Sequence, residues 1–408
     1  MKCRHCGAPL GLVLADLGAA PPSNAYLSAG ALHAPETYYP LRVLVCEACW
    51  LVQTEDFARA EDLFTPDYAY FSSVSKSWLV HCERFVIEAC ERFVLTPQSH
   101  VVEVAANDGY LLQFVQARGI PCTGIEPTAS TAAAARAKGL TIVEDFFGTR
   151  LAEELTAQGK QADLIVANNV LAHVPDINDF VRGFALLLKP QGVASFEFPH
   201  LLRLLENTQF DTLYHEHYSY LSLGTVERIF ARAGLAVFDV EELPTHGGSL
   251  RVFAQRAATG QHPMSERVAA LRQREEAAGL FTRSAYAGFQ EKAERIKNDL
   301  LAFLIEAKRE GKKVAAYGAA AKGNTLLNFA GVRTDLLPFV VDRNPAKQGK
   351  FLPGSRIPIV DEARLRTYVP DYVLLLPWNL RAELAEQLAY VRAWGGRLVT
   401  AVPKLEVL

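Results

Sequence analysis

The chain is predicted to be an α/β protein of three parts. These are an N-terminal metal-binding module, a central Rossmann-like domain with a seven-stranded sheet, and a smaller Rossmann-like α/β domain at the C-terminus. Three observations carry this expectation: two Cys-x-x-Cys knuckles near the start, strand-like and helix-like runs alternating from about residue 100, and a second alternation beginning at Lys313. A chain of 408 residues is too long for one core, and the expected bounds are 1–66, 67–258 and 259–408.

In the first part, Cys3-x-x-Cys6 and Cys46-x-x-Cys49 are separated by 39 residues. Two thiolates three positions apart converge on one point, so the four cysteines suit a tetrahedral zinc ion. Four thiolates leave no open coordination position, which makes the expected role of the metal structural. His5, inside the first knuckle, is the alternative to one cysteine. Cys82, Cys90 and Cys122 have apolar neighbours and read as core residues.

Seven cysteines in this spacing favour metal over disulfides and a reducing compartment. The N-terminus lacks the apolar core of a signal peptide, and no run reaches the length of a membrane helix. A net charge of −3 gives the whole chain no electrostatic basis for non-specific nucleic-acid binding. The expectation is a soluble, cytoplasmic protein with neither membrane nor nucleic acid as partner. Its oligomeric state is open, and a monomer is compatible with the sequence.

In the second part, a polar-aromatic bridge over 65–73 leads into a helix ending near Phe93. Strand-like runs follow at His100–Ala105, Cys122–Glu126, Thr141–Phe146, Asp163–Asn168 and Val193–Phe198, with helices such as Ser130–Lys138 and Asn178–Leu188 between them. This rhythm implies a parallel sheet. Two more strands, Ala236–Glu241 and Ser249–Gln255, flank Pro244-Thr245-His246-Gly247-Gly248, which is hairpin punctuation. Seven strands ending in an antiparallel pair is the pattern of class I methyltransferases.

Ligands of such sheets bind at the carboxyl ends of the strands. The first strand ends in Glu103, and Ala105, Asn107, Asp108 and Gly109 form a tight turn of mostly small residues that lets backbone approach a ligand. Glu126, about 20 residues on, can accept two ribose hydroxyls. Asp145 and Phe146 suit an adenine amine and ring face, and Asn168-Asn169 closes the fourth strand. Each group alone reads as an ordinary cap; together they point to an adenosyl ligand.

After the fifth strand comes Tyr214-His215-Glu216-His217-Tyr218-Ser219-Tyr220, seven consecutive residues able to give or take a proton. Such density suits the removal of a proton from carbon. Residues 263–310 have helical periodicity and read as a long helix or helix pair. The last part shows strand runs at Val314–Tyr317, Phe339–Val341, Tyr372–Leu376 and Arg397–Ala401. Its turn, Tyr317-Gly318-Ala319-Ala320-Ala321-Lys322-Gly323-Asn324-Thr325, opens a helix whose amides, with Lys322, can receive a diphosphate. The spacing is not that of a P-loop. Val341-Asp342-Arg343-Asn344 and Pro377-Trp378-Asn379 occupy further loops where ligands belong.

With these residues in view, the chain resembles the nucleotide-sugar C-methyltransferases of deoxysugar pathways, the SAM-dependent C3-methyltransferases with an N-terminal zinc-binding domain. The likeness spans nearly the whole length. It rests on the paired knuckles, Glu103–Leu111, 168–173, Tyr214–Tyr220, 247–251 and 317–325. It implies S-adenosylmethionine (SAM) as methyl donor, a zinc domain, and a C-terminal domain that helps hold a sugar nucleotide. The implied substrate is a 4-keto-6-deoxy sugar on thymidine diphosphate, methylated at C3, with C5 as the neighbouring alternative. His217 matches the expected base. Glu216 is expected to position it or hold a sugar substituent, and Tyr214 and His173 to donate to the keto oxygen or shuttle protons. A bridge tyrosine, Tyr68 or Tyr70, is implied to reach the sugar. Tyr317, Gly318, Lys322, Asn324 and Thr325, with Gly248, Ser249 and Arg251, are expected to line the substrate cleft, although Arg251 also suits a purely structural role. Two other classes stay open: an O- or N-methyltransferase of a small metabolite, and a zinc-ribbon binding protein with a relic catalytic fold.

Overall fold

The computed structural model describes residues 1–57 and 71–408. The first part is a small antiparallel sheet of β1 (Leu12–Ala20), β2 (Tyr39–Val45) and β3 (Val52–Thr54). Leu14, Leu17, Leu41, Val43 and Val52 bury its inner face. Both knuckles sit at one end of this sheet. Each is closed by a backbone bond, from Gly7 N to Cys3 O at 2.9 Å and from Trp50 N to Cys46 O at 2.7 Å. Gly7 and Trp50 adopt positive φ there, as a knuckle requires.

The central sheet contains β4 (Val101–Val104), β5 (Cys122–Ile125), β6 (Ile142–Val143), β7 (Ala162–Asn168) and β8 (Leu188–Pro199). The chain then forms a two-residue strand, β9 (Ser219–Tyr220), and returns to the central sheet as β10 (Leu235–Leu243) and β11 (Ser249–Arg256). The order is β10-β11-β8-β7-β4-β5-β6, with β11 antiparallel to both neighbours. The expected third strand, 141–146, pairs only at 142–143. It is an edge strand, and Asp145 Oδ1 accepts from Phe146 N at 2.8 Å, a local turn that competes with pairing.

Helices cover both faces. Lys76–Arg92 begins at Ser75, whose hydroxyl accepts from Trp78 N, and buries Cys82, Phe85, Val86 and Ala89 at helical spacing. On the opposite face, Ile177–Leu187 packs Phe180 and Phe184 beside Phe147, Phe196 and Phe230. Order reverses between β4 and β7, so a crevice opens beyond their carboxyl ends.

The linker is two helices, Glu266–Ala277 and Phe289–Arg309, interrupted where Gly279 and Gly288 take positive φ. The longer one buries Phe289, Ala293, Ile296, Leu300, Leu304 and Ala307 in one stripe. The last part has β12 (Val314–Tyr317), β13 (Val340–Val341), β14 (Ile359–Val360), β15 (Tyr372–Leu375), β16 (Arg397–Thr400) and β17 (Glu406–Val407). Its sheet is ordered β14-β13-β12-β15-β16-β17 and is parallel except for β17. β14 and β17 were not expected; each has only two residues, too few for a periodic signal.

The parts are interlocked. β9, which carries the end of the Tyr214–Tyr220 run, pairs with β3 and becomes the fourth strand of the first sheet. One continuous core joins Leu14 and Val43 of that sheet, Phe210 and Leu213, the stripe of 289–309, and one face of β12. Among the described residues, no helix is long and apolar enough to cross a membrane.

Candidate active site

The four knuckle sulfurs lie within 4.8 Å of one another. Cys3 Sγ is 3.6 Å from Cys49 Sγ, and Cys6 Sγ is 3.5 Å from Cys46 Sγ. A tetrahedral zinc with Zn–S of about 2.3 Å spaces its sulfurs by about 3.8 Å, so the cluster fits the ion. Gln53 Nε2 lies 3.3 Å from Cys3 Sγ and supports it from outside. His5 is turned away, its Nδ1 2.7 Å from Asn178 Oδ1. The zinc set is therefore the four cysteines, and its place at the end of a sheet makes it structural.

In the crevice of the central sheet, Ala105, Asn107 and Gly109 all have positive φ, which folds the turn back on itself. A Cβ at Gly109 would lie 2.2 Å from Leu140 Cδ1, so glycine is required there. Glu126 closes the turn: its carboxylate accepts from Asn107 N and Thr128 N, each at 2.9 Å. Asn107 Oδ1 accepts from Ser72 N and Asp108 Oδ1 from Ser73 N, so these two side chains fasten the segment before the first helix. Asp108 also faces Lys138 at 3.5 Å. Glu103 is buried beneath the turn, and burial pushes its carboxyl well above the usual range.

Asp145 pairs with Arg150, while Phe146 leaves its ring 44 % exposed at the rim. At the end of β7, the Asn168 amide is buried with no hydrogen-bond partner among the described residues. An unpaired buried amide at the end of β7 and a tight turn of positive-φ residues at the end of β4 are the groups this crevice offers an adenosyl ligand.

His217 stands beside this crevice, 7 % exposed. Its Nδ1 lies 2.9 Å from the Thr212 carbonyl, which only accepts, so Nδ1 carries the proton. Nε2 then holds a lone pair and accepts from the Tyr214 hydroxyl at 2.8 Å. Burial, followed by the nearby His173, drives the ring well below its ordinary value and keeps it neutral. The His173 ring meets it edge-on at 4.6 Å and bonds to the Glu216 backbone; burial takes His173 down to about 4. His215 instead faces the Tyr39 and Pro40 carbonyls, an anchor to β2. Tyr68 and Tyr70 lie outside the described residues.

The C-terminal domain closes the opposite side. Lys322 Nζ donates to Asn379 Oδ1 at 2.7 Å and lies 4.9 Å above the Trp378 ring. Trp378 Nε1 donates to Asp211 Oδ2 at 2.7 Å, and burial raises the Asp211 carboxyl to about 6. His246 completes this wall and receives the Asn169 amide at 3.1 Å on Nε2. Gly318, with positive φ, lets its turn pass Pro377, where a Cβ would lie 2.5 Å from Cδ.

Other expected cleft residues are placed differently. Tyr317 points into the far layer, toward Glu362 and Gln387. Asn324 and Thr325 are buried, donating to the Ser23 and Leu213 carbonyls. Gly248 sits against the Arg203 side chain, and Ser249 donates to Thr245 O at 3.0 Å. Arg251 is buried in the sheet, bonded to Glu197 at 2.7 Å and Glu241 at 3.1 Å. Sequence reasoning passed over Asp211 and Asn24 and left His246 as turn punctuation. None belongs to a recognisable local motif; each acquires a partner from a distant part of the chain.

A seven-stranded sheet with an antiparallel terminal pair, carrying an adenosyl crevice beside a buried proton acceptor, defines a class I methyltransferase domain. Comparisons with known proteins agree. Residues 80–240 match a family described as "Methyltransferase domain", 3–64 one described as "Putative zinc binding domain", and 244–403 one described as "C-methyltransferase C-terminal domain". The chain is 34 % identical to C-methyltransferase NovU of Streptomyces niveus, over 100 % of this chain and 96 % of that protein. It is 32 % identical to a ubiquinone biosynthesis O-methyltransferase of Bordetella avium over 24 % of this chain and 41 % of that one. A magnesium protoporphyrin IX methyltransferase of Synechocystis, solved with bound SAH, overlaps 44 % of this chain and 83 % of its own at 17 % identity and a TM-score of 0.35. The chain belongs to the C-methyltransferase family of which NovU is a member. It is a SAM-dependent C-methyltransferase with a zinc-binding domain.

Proposed function

We propose that the chain methylates a carbon next to the keto group of a nucleotide-linked 4-keto-6-deoxy sugar, at C3 of a thymidine diphosphate sugar, with His217 as the base. The observation that carries this reading is the state of His217: neutral, buried, protonated on Nδ1, with its Nε2 lone pair held by the exchangeable hydroxyl of Tyr214. An adjacent keto group makes a carbon acidic, because the charge left by the proton moves to oxygen as an enolate. With substrate in place the Tyr214 hydroxyl turns from Nε2 to the keto oxygen, which frees the lone pair. His217 Nε2 then takes the proton as the C–H bond breaks, and Tyr214 donates to the oxygen on which charge develops. His173 holds the same loop through the Glu216 backbone. SAM, bound in the crevice between the turn at 105–109, Glu126 and Asn168, supplies the electrophilic methyl group.

Lys322 supports a diphosphate on the opposite wall, with the amides of the turn that opens helix Ala321–Ala330. The rim ring of Phe146 and the carboxylate of Glu126 support the adenosyl side.

The test is NMR of thymidine diphosphate 4-keto-6-deoxyglucose with the enzyme in D2O, with and without SAM, beside His217→Ala. Exchange at C3 that needs His217, and a new C-methyl signal when SAM is added, is the expected result. Exchange and methylation at C5 would move the reaction to the other carbon beside the keto group. A methyl on oxygen or nitrogen, with both carbons still protonated, would overturn the enolate reading.

A further inference from the structure

Glu216 lies in the middle of the catalytic run and is 1 % exposed. A carboxyl so buried keeps its orientation only through partners built around it. One of them comes from the zinc module: Asn24 Nδ2 donates to Glu216 Oε2 at 2.7 Å, across 192 positions of sequence. A carboxylate only accepts, so it turns the Nδ2 end of the Asn24 amide toward itself.

The segment holding Asn24 is itself fastened to the C-terminal domain on both sides. Ser23 O accepts from Asn324 Nδ2 at 2.6 Å. Tyr26 OH donates to Ala319 O at 2.6 Å, and Lys347 Nζ donates to the same carbonyl at 2.8 Å. Leu27 and Phe351 exchange two backbone bonds, at 2.9 and 2.8 Å. Ala319 belongs to the turn assigned above to the sugar nucleotide. The segment from Ser23 to Leu27 thus has four polar ties to the C-terminal domain, and Asn24 within it turns its amide donor to Glu216.

We propose that Asn24 is a positioning residue, which holds the Glu216 carboxylate toward the sugar so that the zinc module completes the active site. The proposal rests on the function proposed above. An amide nitrogen can only donate, so it pairs with a carboxyl oxygen that carries no proton, and the bond is stronger when that carboxyl is ionised. Asn24→Ala removes the donor. Asn24→Asp keeps the shape but leaves two carboxyls that must share one proton.

The test measures deuterium washout from the 4-keto sugar and methyl transfer for wild type, Asn24→Ala and Asn24→Asp, from pH 5.5 to 9. SAM affinity and zinc content serve as controls on folding. Asn24→Ala is expected to slow washout roughly 10- to 100-fold, the effect of losing one hydrogen bond to a charged group. Asn24→Asp is expected to work best at low pH, where one proton bridges the two carboxyls, and to lose activity as pH rises and that proton leaves. Wild type should lack this descending limb. If Asn24→Ala does not fold, the near-isosteric aspartate variant decides alone. Variants that wash out at the wild-type rate with the wild-type profile would overturn the role of Asn24. A wild type that washes out neither C3 nor C5 would overturn the substrate reading, and the positioning role with it.

Discussion

Arg251→Met is the most direct probe of how the central sheet is held beside the site. The guanidinium is 1 % exposed, bonds to Glu197 at 2.7 Å and Glu241 at 3.1 Å, and lies 4.4 Å above the Phe85 ring. Burial pushes the Glu197 carboxyl up, but the His81 hydrogen bond, the Arg251 charge and the Thr245 hydroxyl outweigh it and hold it at about 2. A carboxyl held there instead of at its ordinary 4.5 contributes about 3 kcal/mol at neutral pH. Because the folded value is the lower one, this contribution is complete above pH 4.5 and is lost as pH falls toward 2. Methionine keeps most of the stem packing and leaves Glu197 with only His81 and Thr245, so about 2–3 kcal/mol should be lost at pH 7. Adding Glu197→Gln removes the charge that Arg251 offset, and the double variant should lose less than the sum of the two single losses. Urea denaturation followed by tryptophan fluorescence measures all four proteins. A single variant within about 1 kcal/mol of wild type, or strict additivity, would refute the argument.

Cys49→Ser should abolish stoichiometric zinc, measured by metal analysis, and abolish turnover while SAM binding by calorimetry persists. The reason is that β3 connects the metal end of the first sheet to β9, at the end of the run Tyr214–Tyr220 proposed to carry the base. Asp211→Asn should make the protein more stable at pH 7 by about 3 kcal/mol, because burial raises that carboxyl from 3.8 to about 6. The folded value is the higher one, so the native state is favoured in acid and loses that advantage as pH rises through 6. The asparagine variant keeps an acceptor for Trp378 Nε1, and its stability should not show this fall between about pH 4 and pH 6.

The parts of the fold legible in sequence are those set by local periodicity. The alternation from β4 to β8, the hairpin of β10 and β11 around Pro244–Gly248, and the buried stripe of the linker all show in spacing alone. β9 does not. Its two residues read as part of a polar run, and only pairing with β3, some 165 positions away, makes them a strand. The site divides in the same manner. Glu126, Asn168 and His217 sit at strand ends or in a motif, so residue type and position pointed to them. Arg251, in the expected strand Ser249–Gln255, suited either the cleft or a structural role; in the sheet it neutralises Glu197, whose place on the next strand no spacing reveals. Asn324 and Thr325 look like helix-start ligands, yet their partners are carbonyls on Ser23 and Leu213.

The pairing of β3 with β9 also bears on inheritance. Residues 1–57 and the stretch from Asp211 to Leu221 meet through strand pairing, the Thr54 bond to His217 O at 3.0 Å and the Asn24 bond to Glu216. A front module transplanted from a relative would meet a catalytic loop shaped for a different sheet edge. Working chimaeras in this family should therefore exchange both stretches together, and natural recombinants should preserve them as one discontinuous unit.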